Sequence, residues 1–315
     1  MIHNFGDDII LYEGDMLELS PKYIKDSSVE LLLVDPPYNI GKDGKDGWDT
    51  FVSEAAYYDF LSKVFKEADR ILKPSGTVYI FHQKFKDLCW IHDHLTKVYK
   101  FNFKQLITWN KKFNGCRLEG YLEGYTSQVN KNRNYPTMSE NILFFSKQPD
   151  HFENPFVRVM KENMKKLNLT QTHLSKLIKT RNGKKSGWSS TKLNGRQLPT
   201  RDQWKKLCEY FRIEDKYDLL INMYEEERYY FSCQGELHSV WNYSIDFDSW
   251  HVSAKPITLY QSIFRHSYRP GSLIVDLFCG SGSVIAASLK EACKLITFEN
   301  KSEYVKNIIS DLLED

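Results

Sequence analysis

Leu31-Leu32-Leu33-Val34 is a short, continuous apolar run, the pattern of a strand covered on both faces. Apolar positions at Tyr58, Leu61, Phe65, Ala68 and Leu72 then recur every three or four residues, which predicts an amphipathic helix over Tyr57–Leu72. Lys73-Pro74-Ser75-Gly76 reads as a stop and turn, and the β-branched and aromatic Thr77–Phe81 as the next strand. Ile107-Thr108-Trp109 and Asn141–Phe145 are further strand candidates, separated by a polar, Gly- and Asn-rich excursion from Asn110 to Thr137. Strands alternating with helices predict an α/β fold with a parallel or mostly parallel sheet.

The pattern changes at Phe156. Met160, Met164 and Leu167 space one helix, and Thr170 can cap a second with an apolar face of Leu174, Leu177 and Ile178. A basic link, Thr180–Gly187, leads to a short third segment, Trp188–Leu193. Pro199-Thr200 then opens a helix carrying Trp204, Leu207, Cys208 and Phe211. After about Tyr230 the alternation returns, with a strand at Ser272–Leu277, a glycine loop, a helix from Val284, a strand at Lys294–Glu299 and a final amphipathic helix. A small helical domain, 156–230, is thus expected as an insertion into an α/β domain made of 1–155 and 231–315.

Charge sharpens this division. The 43 Lys and Arg nearly cancel the 41 Asp and Glu, and a net +2 indicates no partner. Yet Phe156–Leu220 alone holds 16 basic residues against 6 acidic ones, leaving 27 against 35 elsewhere. An acidic body carrying a concentrated cationic segment points to nucleic acid. No run approaches the roughly 18–20 apolar residues of a membrane span, and the first residues lack the basic and apolar regions of a secretory signal. The six cysteines form no Cys-x-x-Cys pair. Membrane, secreted-scaffold and zinc-finger classes are therefore not indicated, and a reducing cytoplasm is expected. His92-x-His94 has no third ligand nearby and reads as a surface helix feature, so no metal is expected. The aromatic stretch Tyr224–Phe231 reads as packing at a domain junction.

Two loops carry the chemistry. Asp35-Pro36-Pro37-Tyr38 follows the buried strand, where open α/β sheets bind their ligands. The prolines fix φ near −65° and leave carbonyls free to accept. Asp35 adds a carboxylate and Tyr38 a flat ring, which together suit a planar group bearing an NH2. The second loop, Asp276-Leu277-Phe278-Cys279-Gly280-Ser281-Gly282, lies between a strand and a helix and lets the backbone approach a ligand. Glu299, with Asn300 after it, ends the next strand about 20 residues on, where an acid can bond ribose hydroxyls. The third glycine of a dinucleotide fingerprint is missing from its expected place.

In this order the two motifs resemble those of the S-adenosylmethionine-dependent amino-methyltransferases of DNA, specifically the circularly permuted β group. The resemblance covers roughly residues 8–155 and 235–312. It implies the class I methyltransferase fold, a Rossmann-like, doubly wound, mostly parallel sheet, here permuted. It further implies that Asp15 contacts the cofactor's adenine and that Lys255, before Pro256, helps hold its methionine end. Asn39–Asp49 resembles the family's mobile loop, and Arg70–Gly76 its helix-to-strand corner. Ser283-Val284 stands where Thr-Thr is usual, and Leu277 replaces a common proline. The implied activity is methyl transfer to adenine N6 in double-stranded DNA. In it the base is flipped out and stacked on Tyr38, while Asp35 and the Pro36 carbonyl hold its amine.

The inserted segment has its own resemblance. Leu167–Leu177 is similar to the first two helices of a phage-repressor helix-turn-helix, and Gly195–Thr200 to the passage into its fourth. This implies a recognition helix at about Ser189–Asn194. Ser189, Ser190, Lys192 and Asn194 would then face base edges, and Lys184, Lys185 and Arg196 phosphates. Cytosine N4 is the alternative target. A non-catalytic helix-turn-helix regulator is the alternative class, opposed by the complete Asp-Pro-Pro-Tyr. An RNA substrate is disfavoured by the duplex-reading motif. A homodimer is left open.

Overall fold

The computed structural model describes residues 1–41, 47, 49–116, 137–148, 152–177, 193, 197–232, 234, 236, 238–245, 249–251 and 253–313. Its contacts divide the chain into two units, Met1–Pro149 with Tyr229–Asp315, and Asp150–Arg228.

The first unit is built on a sheet of β1 (Ile2–Phe5), β2 (Ile9–Glu13), β3 (Val29–Val34), β4 (Leu72–His82), β5 (Asn102–Asn110), β6 (Ser139–Ser146), β7 (Val240–Asn242), β8 (Leu273–Asp276) and β9 (Lys294–Glu299). The spatial order is β1-β2-β9-β8-β3-β4-β6-β5-β7. From β2 to β4 every neighbouring pair is parallel. β1 joins antiparallel at one edge, and β6 runs antiparallel to both β4 and β5. The two central strands come from opposite halves of the chain. β3 continues outward to β4, whereas β8 continues the other way to β9. Ligands of doubly wound sheets bind beyond the carboxyl ends of the strands at such a reversal.

All six residues of β3 are buried, and their alternation explains why. Leu31 and Leu33 pack into one apolar cluster, and Leu32 and Val34 into another. Successive side chains of a strand point to opposite faces, so an unbroken apolar run needs cover on both. Helices α1 (Met16–Tyr23), α2 (Glu54–Ile71) and α3 (Phe85–Lys97) cover one face. The other is covered by the later helices Ile257–Ser267, Ser283–Glu291 and Ser302–Leu313.

One expectation needs correction. Lys73-Pro74-Ser75-Gly76 does not end in a free turn, because β4 runs through it from Leu72. Val29 pairs with Leu72 and Leu31 with Thr77, so the turn-forming residues become a bulge within the strand. Pro74 has no N–H to contribute to the ladder, and a Cβ on Gly76 would lie 2.7 Å from Leu72 Cδ2.

The second unit comprises α4 (Pro155–Lys166), α5 (Gln171–Leu177), α6 (Arg201–Phe211) and α7 (Tyr217–Glu227). They enclose Phe156, Met160, Leu174, Trp204, Leu207, Phe211 and Leu220, with Phe156 set edge-on to Trp204 at 4.9 Å. Thr200 and Gln203 form a reciprocal capping box at the start of α6. At the start of α5, the Thr170 N–H donates to His173 Nδ1 at 3.0 Å. The expected DNA contacts Lys184, Lys185, Ser189, Ser190, Lys192, Asn194 and Arg196 lie outside the described residues, as does Ile178. The remaining helices of the first unit are α8 (Ile257–Ser267), α9 (Ser283–Glu291) and α10 (Ser302–Leu313).

Candidate active site

The loops after β3 and β8 open onto one cavity of about 330 Å³, near the lower end of the range for small-molecule sites. Asp35, Pro36, Pro37 and Tyr38 line it from one strand end, and Phe278, Cys279, Gly280 and Ser281 from the other. Asp15, Lys255, Glu299 and Asn300 line it as well. Asp276 and Gly282, also expected to bind cofactor, are not among the lining residues.

The Pro-Pro step is held from below. Lys84 N–H donates to His82 Nδ1 at 3.1 Å, which leaves the proton of this ring on Nε2. His82 Nε2 meets the Tyr57 hydroxyl at 2.8 Å, and that hydroxyl donates to the Pro37 carbonyl at 2.8 Å. Burial pushes His82 down to about 4, so the chain stays neutral near neutral pH. The Pro36 carbonyl, by contrast, accepts from no donor among the described residues. Beyond Tyr38, Asp49 clamps the loop by accepting from the N–H groups of Asn39 at 2.7 Å and Ile40 at 3.1 Å.

Asp35 is engaged at both oxygens. The Tyr38 hydroxyl donates to Oδ1 at 2.6 Å, and Lys255 Nζ lies 2.7 Å from Oδ2. The same ammonium is 3.4 Å from Glu140 Oε2, and Lys111 pairs with Glu140 Oε1. Lys255 and Glu140 are each 4% exposed, so this is a buried charge cluster. Burial works against the Lys255 ammonium, but the Asp35 and Glu140 carboxylates outweigh it and hold its pKa above the ordinary value. Tyr38 is pushed well up, by burial and then by the same two carboxylates.

The glycine loop rests on backbone conformation instead of side-chain charge. Gly280 has φ +56° and Gly282 φ +80°, backbone that favours glycine. A Cβ on Gly282 would lie 2.9 Å from Ile308 Cγ2. Glu299 fixes the loop by accepting from Gly280 N–H at 2.9 Å and from Lys301 N–H at 2.9 Å. The Asn300 N–H also acts on this carboxylate, which still keeps acceptor capacity. Gly14 N–H donates to the Glu299 carbonyl at 2.8 Å, and Asp15 caps α1 by accepting from Leu17 N–H at 2.8 Å. The ends of β2, β9 and β8 therefore share one rim.

Asp276 lies beneath that rim, fully buried, with Thr297 Oγ1 donating to its Oδ2 at 2.7 Å. Burial pushes its carboxyl up to about 7. Through Thr297, Asp276 ties β8 to its parallel neighbour β9 and is not part of the cavity surface.

Several lining residues carried no sequence signal, among them Phe60, His251, Tyr260 and Tyr304. Phe60 sits in a helical repeat and Tyr260 on a buried helix face, where both read as core. His251 meets Trp250 and Tyr304 edge-on at 5.6 and 5.1 Å, and burial pushes it down to about 4. Glu140 does not line the cavity, and in sequence it falls just ahead of the Asn141–Phe145 strand candidate with nothing to single it out. Among the described residues no group of three or more His, Cys, Asp or Glu is placed to hold a metal, and no helix is long and apolar enough to cross a membrane.

Comparison with known proteins places this geometry. The family described as DNA methylase, of the N6/N4 type, matches residues 29–310. The type II methyltransferase M1.MboII of Moraxella bovis is 28% identical over 298 residues, covering 92% of each chain. The DNA adenine methyltransferase YhdJ of Escherichia coli K12 is 26% identical over 305 residues, covering 96% of this chain and 82% of its own. Among solved structures, the cytosine-N4-specific PvuII DNA methyltransferase aligns with a TM-score of 0.52 at 18% identity, covering 97% of this chain and 89% of its own. The M1.HpyAVI–SAM complex aligns with a TM-score of 0.51 at 15% identity, covering 96% and 99%. These two likenesses speak to the fold, a mixed α/β architecture on a large sheet.

Proposed function

This chain belongs to the DNA methylase family of the N6/N4 type, and from that premise we propose that it methylates adenine N6 in double-stranded DNA, with S-adenosylmethionine as donor. The observation that carries the reading is one cavity flanked by two unlike loops. One presents the Asp35 carboxylate beside the open Pro36 carbonyl, the other a glycine backbone stapled to Glu299. Asp35 at the head of the Pro-Pro-Tyr motif favours adenine, and the name of the E. coli relative agrees.

The residues suit the cofactor. Phe278, Phe60 and Phe298 offer apolar surface for its purine, and Glu299 keeps acceptor capacity for a ribose hydroxyl. Asp15 and Asn300 line the same rim, and the positive-φ glycines let the backbone come close. When bound, S-adenosylmethionine supplies a methyl group already activated on a sulfonium.

The protein's own task is placement and charge. An exocyclic amine is a weak nucleophile because its lone pair is delocalised into the ring. Accepting its two N–H groups at Asp35 and at the Pro36 carbonyl favours a tetrahedral nitrogen with a localised pair. The Asp35 carboxylate then stabilises the positive charge that develops on that nitrogen and can take the released proton. At rest the Tyr38 hydroxyl occupies Asp35 Oδ1, so an incoming amine replaces it there while the Tyr38 ring turns to stack on the base.

The cationic unit, 150–228, is the proposed duplex reader, its helix-turn-helix resemblance supplying the recognition segment. Expression in a methylation-free host, followed by sequencing with modification detection, tests the whole reading. N6-methyladenine in one sequence context is the expected result. N4-methylcytosine would replace adenine as the target, and unmodified DNA would favour a non-catalytic regulator.

A further inference from the structure

We propose that Lys255 serves the catalytic carboxylate, not the cofactor, and that Glu140 is the positioning residue that holds it there. The inference rests on the methyltransferase reading above. Lys255 Nζ lies between two carboxylates, 2.7 Å from Asp35 Oδ2 and 3.4 Å from Glu140 Oε2. It sits over the Tyr38 and Phe81 rings, 5.3 and 5.7 Å from their centroids. An ammonium confined in this way fixes one oxygen of Asp35 and leaves the other for the amine.

Glu140 resolves an electrostatic conflict. A lone buried cation beside Asp35 would compete with the substrate amine and oppose the positive charge that develops on it. Glu140 supplies the second negative charge, and Lys111 closes its far oxygen. The Tyr38 hydroxyl also lies 3.4 Å from Glu140 Oε2, so when an amine displaces it from Asp35 an acceptor is already at hand. Four separate parts of the sheet thus meet at one proton-holding cluster: the loop after β3, the end of β5, the start of β6 and the segment before α8.

The groups facing Lys255 are Asp35 and Tyr38 from the β3 loop, Glu140 from β6, and His251 and the Ser253 carbonyl from its own segment, while Tyr260 of α8 lies in the field of the same two carboxylates. Of these, Asp35 and Glu140 keep the ammonium charged against burial. Removing the Glu140 charge therefore lowers the pH at which Lys255 loses its proton.

Glu140→Gln is the test, with DNA methylation kinetics measured across pH and S-adenosylhomocysteine binding measured by calorimetry. The expected result is a kcat lower by about 10²-fold, as for a displaced reacting group. The alkaline limb of the kcat profile should move to lower pH, and S-adenosylhomocysteine affinity should stay within about twofold. A purely structural role would not move the limb. If Glu140→Gln does not fold, Lys255→Gln decides, with a comparable kcat loss and unchanged affinity expected. Wild-type kcat and limb in Glu140→Gln, or a tenfold loss of S-adenosylhomocysteine affinity in Lys255→Gln, would overturn the proposal. A wild-type chain that methylates no DNA would instead remove the methyltransferase reading, and the inference with it.

Discussion

The loops that follow β3 and β8 begin from adjacent, paired strands, with Leu31 opposite Ile274 and Leu33 opposite Asp276, yet they solve opposite problems. Asp35–Tyr38 uses two prolines, which delete N–H donors and lock φ, so what remains exposed is acceptors. Phe278–Gly282 uses glycines at positive φ, which bring backbone close to a ligand. The first loop is braced by side chains, through His82, Tyr57 and Asp49. The second is braced by a strand-end carboxylate, Glu299, on the Gly280 N–H. On the proposed function, these neighbouring strands divide one reaction, with charge handled by one loop and binding by the other, and damage to either is then separable from damage to its neighbour.

Replacing Asp35 should give the largest effect. Asp35→Ala removes the carboxylate from the acceptor loop and leaves the glycine loop untouched. Methyl transfer should fall by at least about 10³-fold, while S-adenosylhomocysteine affinity by calorimetry stays near wild type. Parallel loss of both would break the division of labour between the loops. Next in size is a change that touches neither loop. Lys184, Lys185 and Arg196, exchanged together for Gln, should weaken duplex binding about 10- to 100-fold. The log-log salt slope should become shallower by roughly one per lost phosphate contact. An unchanged slope would assign the duplex to some surface other than this cationic segment. Gly282→Ala comes third. Its Cβ would stand 2.9 Å from Ile308 Cγ2 at φ +80°, so stability should drop by about 1–3 kcal/mol. S-adenosylhomocysteine affinity should fall about tenfold, with single-turnover kcat at saturation little changed. A fall in kcat alone would mean that the glycine loop also acts on the chemistry.

What was legible in the sequence follows from how local each device is. The β3 strand and its Asp-Pro-Pro-Tyr are contiguous, so an apolar run and two prolines announce both the element and the acceptors. The glycine loop and Glu299 lie about 20 residues apart on consecutive strands of the same crossover, and their spacing reports the turn between them. The contact of Lys255 with Asp35 joins residues far apart in the chain and depends on β8 lying beside β3, which no local pattern encodes. Glu140 was hidden for a related reason. A carboxylate at the head of Glu140–Phe145 resembles the polar edge of any strand until Lys111 and Lys255 are seen to flank it. Lys73–Gly76 misled in the other direction, since a bulge and a turn need the same residues and only the continued pairing with β3 separates them.

The smallest effect concerns the ground beneath the glycine loop. Asp276 ends β8 fully buried, its carboxyl pushed up to about 7 by burial, with the negative charges of Asp35 and Glu299 adding to the rise. A carboxyl whose folded pKa lies above its unfolded value of about 4 stabilises the fold fully below pH 4. That contribution is lost as pH rises through about 7, because the folded state resists giving up the proton. Asp276→Asn keeps the acceptor for the Thr297 hydroxyl and cannot ionise. Its Tm relative to wild type should therefore be lowest near pH 4 and rise by roughly 5 °C toward pH 8. S-adenosylhomocysteine affinity should change no more than about threefold, since Asp276 is not part of the cavity lining. A Tm difference flat with pH would show that Asp276 is already ionised beneath the loop. In that case the glycine loop would be charge-supported like the proline loop, and the contrast between them would reduce to backbone geometry alone.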